Sequence, residues 1–133
     1  MIISSPGNQL EMIQSIFHRV KHHTELTDDE FEKEFRDLTL DPSLFNHEAH
    51  LRLGWIHITK YGQEKAIENI CSQIRAFDLK HGDGTKFNRI LTEKSIQVLS
   101  TFISESDSND FNELIQNHPA LRTDFMNLID NLS

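Results

Sequence analysis

Apolar residues recur every three or four positions along most of the chain and rarely alternate with polar ones. That spacing is the period of a helix, not of a strand. Leu10, Ile13, Phe17 and Val20 make one such face. Asn8 is a suitable N-cap for it, and the helix is expected to run out near His22-His23-Thr24. Residues 1–7 are expected to be a loose terminus, and residues 8–133 a single helical domain. Thr27-Asp28-Asp29-Glu30 has the form of a capping box, in which Thr27 caps while Glu30 reaches back. Phe31, Phe35 and Leu38 then line the buried face of that helix.

Asp41-Pro42 closes the segment, because proline lacks an N–H and restrains its predecessor. The next pattern predicts a central helix over residues 46–61, stopped by Gly62, and then a helix over 63–80 with Ile67, Ile70, Ile74 and Phe77 on one side. His81-Gly82-Asp83-Gly84-Thr85 reads as a loop. A fifth helix is expected over 86–104, with Phe87, Ile90, Leu91, Val98, Leu99, Phe102 and Ile103 apolar. After the polar stretch 104–109 come a short helix over 110–117 and a last one opened by Pro119, carrying Leu121, Phe125, Leu128, Ile129 and Leu132. The fold class is therefore all-α: a compact bundle of six or seven helices around a buried central helix.

Composition narrows the function classes. Twenty-one acidic against 13 basic residues give a net charge of −8, which repels phosphate backbones and argues against a nucleic-acid partner. Cys71 is the single cysteine, so neither an intramolecular disulfide nor a cysteine-based zinc site is expected. No basic segment precedes an apolar run at the start, and no apolar run approaches the ~20 residues that span a bilayer. A soluble cytoplasmic protein with no membrane partner is the expectation.

The densest chemistry lies in residues 44–62, LFNHEAHLRLGWIHITKYG, which hold three of the eight histidines, the only tryptophan and the only tyrosine. At about 100° per residue, His47, His50, Gly54, His57 and Tyr61 fall within a stripe about 80° wide. Leu51, Trp55 and Ile58 flank that stripe, with Leu53 and Ile56 behind, so the helix should be buried and its histidines hydrogen-bonded, ligating or at a cavity rim. A pair spaced i, i+3 can direct two ring nitrogens at one ion, and a divalent transition metal held by His47, His50 and His81 is one reading. The spacing is not His-Glu-x-x-His. The plainer reading has both histidines bonded to backbone or acids at a helix junction. His18 and His22 read as a solvated helix end, and the acidic run 28–37 as a helix start. The 81–85 loop reads as a turn and cap, and Cys71 as a small buried hydrophobe rather than a nucleophile.

Phe45-x-His47-x-x-His50-Leu51-Arg52-x-x-Trp55, followed by Arg75-x-Phe77 and His81-Gly82-x-x-Thr85-x-Phe87, resembles a group of small bacterial helical proteins. Those carry F-x-H-x-x-H-x-x-x-A-W and then R-R-F and H-G-x-x-G-x-Y-H-x-T-x-T. The resemblance covers residues 44–92. It implies an all-helical fold, no established activity, and a site drawn from His47, His50, Trp55 and His81. His57 falls where the group tends to have another residue. Asn88 stands where the group has a histidine, and Thr92 aligns with its later threonine. If that histidine is a ligand or base there, this chain is expected to be a weakened or inactive version.

Three functions follow. The first is a binding module whose pocket, built from His47, His50, Trp55, His81 and Asn88, takes a metal or a small polar ligand. The second is a protein-interaction or self-association module, a homodimer included, docking through Phe111, Leu114, Phe125 and Ile129. The third, a hydrolase or isomerase with a histidine base, has least support, since no nucleophile or carboxylate pair stands at a telling spacing.

Overall fold

A computed structural model describes residues 20–132. Among these residues the chain is all-helical, with seven α-helices and no strand. The helix expected from Asn8 lies outside the described residues except at its end. There, residues 20–22 are not helical and His23–Glu25 forms a single 3₁₀ turn.

Helix α1, Asp28–Arg36, begins as the sequence pattern predicts: Thr27 Oγ1 accepts from Glu30 N, and Glu30 Oε1 accepts from Thr27 N. Its Phe31 and Phe35 are fully buried. Leu38 follows in the left-handed region at φ 64°, ending the helix without a glycine. A 3₁₀ turn, Pro42–Leu44, leads to the central helix α2, His47–Tyr61, which Asn46 caps by accepting from Ala49 N. Gly62, at φ 86°, turns the chain directly into α3, Gln63–His81. The two helices run back along each other. Phe45 meets Phe77 at one end, with ring centroids 5.3 Å apart, and His57 meets Asn69 at the other.

Helix α4, Arg89–Glu105, packs against both and meets α2 where Gly54 faces Leu99. It starts three residues later than expected, because Asn88 rather than an earlier residue caps it, accepting from Leu91 N. Ile90 consequently lies outside, 68% exposed, instead of on the buried face. Three short helices finish the chain: α5, Phe111–Asn117; α6, Ala120–Thr123; and α7, Phe125–Asp130. The single last helix expected after Pro119 is thus broken in two. Asp124, at φ −144° and ψ 31°, is not helical, and the break lets Leu121 and Ile129 both reach the core.

The buried part of α2 is continuous from Leu51 to His57, so the helix is enclosed over its whole circumference there. That is the arrangement a helix apolar nearly all round adopts. Arg52 within it is only 8% exposed. Its guanidinium donates to His23 O, Leu26 O and Asp28 Oδ1, fastening residues 23–28 to α2. No described helix is long and apolar enough to cross a membrane.

Candidate functional site

A half-open cavity of about 450 Å³ lies where α2, α3, α4 and α7 meet. Volumes of this order suit small organic ligands. Leu51, Ile70, Ile74, Ile96, Leu99 and Ile129 make most of its wall, with Gly54 leaving room between them. Its polar edge comes from His47 and His50 on α2, Lys86 and Asn88 before α4, and Thr92 and Ser95 on α4.

Both histidines are oriented by backbone carbonyls. His47 Nε2 lies 2.9 Å from Leu121 O, and its ring meets Phe125 edge-on at 5.4 Å. His50 Nδ1 lies 2.8 Å from Asn46 O, one turn back, while its ring stacks on Phe45 with centroids 3.7 Å apart. Water reaches much of the His50 side chain. Protein atoms nonetheless crowd the ring, and burial is the main cause that holds its pKa below the ordinary imidazole value, with His47 adding to it against the Asn46 hydrogen bond. A cavity rim reconciles the exposed edge with the crowded ring.

The loop that brings Lys86 and Asn88 to the cavity is held by Asp78, 8% exposed near the end of α3. Its Oδ2 accepts from Lys86 N at 2.8 Å and from Phe87 N at 2.9 Å. That contact fixes Lys86 and Phe87 in the loop, and α4 begins after them, at the Asn88 cap.

The residues singled out in sequence therefore divide. His47, His50 and Asn88 line one cavity. His81 does not: it is exposed, and its Nε2 lies 3.0 Å from Leu38 O, whose carbonyl also accepts from Lys80 Nζ. Trp55 is a core side chain, 9% exposed and absent from the cavity wall. His57 leaves the stripe as well. It is 1% exposed, beside Tyr61 and Asn69, and its Nε2 has no partner among the described residues. The structure thus does not bring His81 to His47 and His50. Among the described residues, no group of three or more His, Cys, Asp or Glu side chains is placed to hold a metal ion.

Spacing did not single out Lys86, Thr92 or Ser95 as cavity residues, nor the apolar contribution of α7. Only the packing of α4 and α7 over α2 brings them together. Of the proposed docking side chains, Phe111, Leu114 and Ile129 are buried, and Phe125 is half-buried against the core. Cys71 is 3% exposed, and burial pushes its thiol pKa up, which leaves a poor nucleophile.

The chain matches no family model, no curated protein and no solved structure.

Proposed function

We propose that the protein is a small-molecule binding module, with the cavity between α2, α3, α4 and α7 as its site. The observation that carries this reading is the joining of a 450 Å³, largely apolar space to two carbonyl-oriented histidines on one edge. An apolar body would supply affinity by leaving water, while the histidine edge would set orientation. A metal would need ligands beyond His47 and His50, and His81 is spent on Leu38 O. The docking reading loses support because three of its four side chains are buried. A cytoplasmic setting and bacterial origin belong to the same proposal. They rest on the acidic composition, the free Cys71 thiol and the resemblance of residues 44–92.

A fragment screen followed by two-dimensional NMR tests it. Hits are expected to shift amides around His50, Gly54 and Ser95, and to lose affinity in a Ser95→Phe variant that fills the cavity but keeps its helical circular dichroism. Hits that map elsewhere, or bind the filled variant unchanged, would refute it.

A further inference from the structure

The polar edge of the cavity has a chemical bias that selects among ligands. A carbonyl oxygen can only accept, so the ring nitrogen facing it must carry the proton. His47 therefore donates from Nε2 to Leu121 O, and His50 from Nδ1 to Asn46 O. Neither His47 Nδ1 nor His50 Nε2 has a partner among the described residues. In the neutral ring each keeps a bare lone pair.

The two hydroxyls of the wall are committed in the same direction. Thr92 Oγ1 donates to Asn88 O at 2.8 Å, and Ser95 Oγ to Leu91 O at 2.7 Å. Four lining side chains thus spend their protons on backbone carbonyls and present acceptors. The lining residues able to donate are Lys86 and Asn88, the latter through Nδ2, since Asn88 Oδ1 already accepts from Leu91 N.

Charge then decides which donor a ligand can bring. Among the described residues no carboxylate lines the cavity and Lys86 does, so an ammonium group would enter beside a like charge with no counter-ion from them. An ionised carboxylate could accept from Lys86 or Asn88, but it has no proton to give, so the imidazole lone pairs would stay unmet. A neutral hydroxyl meets both needs, donating to an imidazole nitrogen while accepting from Lys86 or Asn88. We infer that the ligand is a neutral, largely apolar alcohol or phenol whose hydroxyl donates to His47 Nδ1 or His50 Nε2. This rests on the cavity being the binding site.

The test compares 2-naphthol, 2-methoxynaphthalene and 2-naphthoate at pH 8 by NMR titration, with the histidine ring nitrogens observed directly. The naphthol is expected to bind at least tenfold more tightly than either analogue and to move the His47 Nδ1 or His50 Nε2 resonance. The preference should shrink in the phenylalanine variant of whichever histidine's resonance moves, His50→Phe keeping the stack on Phe45 and His47→Phe the contact with Phe125. Equal affinities, or tighter naphthoate binding, would overturn the hydroxyl inference and leave the cavity reading standing. Failure of all three probes to bind folded protein would count against both.

Discussion

A methyl group added to Gly54 would lie 2.5 Å from Leu99 Cδ2. This contact between the central helix and α4 thus depends on a missing side chain, and both residues also line the cavity. Alanine at position 54 would gain about 1 kcal/mol of helix propensity, against an overpacking cost of about 1–3 kcal/mol. Because Leu99 can turn toward the open cavity, Gly54→Ala is expected to change stability by less than about 1 kcal/mol while weakening ligand binding there. Gly54→Val, with two further methyls at the contact, should lose about 2 kcal/mol or more. Urea unfolding of both variants measures this, and a large loss in the alanine variant would show that Leu99 cannot move.

Arg52 is the clearest single point of failure in the fold. Its removal takes the guanidinium donor from Leu26 O and leaves His23 O with Leu26 N alone, while His23 itself is 2% exposed. Arg52→Ala is expected to cost about 2–4 kcal/mol, since hydrogen bonds to charged groups contribute about 1.5–3 kcal/mol each and solvent recovers part of the loss. Arg52→Lys should recover less than half, because one ammonium cannot span three acceptors arranged for a fork. Chemical denaturation with amide exchange on residues 23–28 would expose a milder role.

His57 sets a pH dependence. Burial is the main cause holding its pKa below the ordinary 6.5, opposed by Glu32 and aided by Lys60 and Arg36. The unfolded chain takes up this proton more readily than the folded one. The contribution is therefore fully present above pH 6.5 and is lost as pH falls from there through the folded pKa. Any one such group can add at most about 1.4 kcal/mol per pH unit to the slope. Asn69 donates to Nδ1, so the unpartnered Nε2 carries a buried proton. His57→Leu is expected to raise stability by about 1 kcal/mol at pH 7.5, by deleting an unmet donor, and to flatten the profile between pH 7 and 5. Parallel melting curves across that range decide it; an unchanged slope would move the effect to His23, whose pKa burial also lowers.

Asp78 should control the cavity rim from beneath. Asp78→Ala leaves the N–H groups of Lys86 and Phe87 without their acceptor, at a cost of about 1–3 kcal/mol. Exchange of those two amides should accelerate far more than exchange in α2. Gly82 belongs to the same contact, since a Cβ there would lie 2.7 Å from Asp78 Oδ1. Gly82→Ala is expected to reproduce the loop effect in weaker form, and protected amides in both variants would contradict this account.

Local chemistry was readable without the fold. The Thr27–Glu30 capping box, the stop at Gly62 and the enclosure of Leu51, Trp55 and their neighbours all follow from spacing, turn residues and apolar content within one helix or its ends. The start of α4 and the break at Asp124 were not readable. The first follows a loop that a carboxylate from α3 holds across the fold, and the second accompanies two separate side chains reaching one core.

The histidine stripe shows the same division. Sequence alone determined that His47, His50 and His57 share a face of a largely apolar helix. Tertiary structure decided that His47 and His50 meet α4 and α7 at a cavity, while His57 is sealed beside Asn69 and Tyr61. It also placed His81 on Leu38 O, away from the other two. Helical periodicity specifies the direction of a side chain around its own axis; what lies in that direction depends on how the other helices pack.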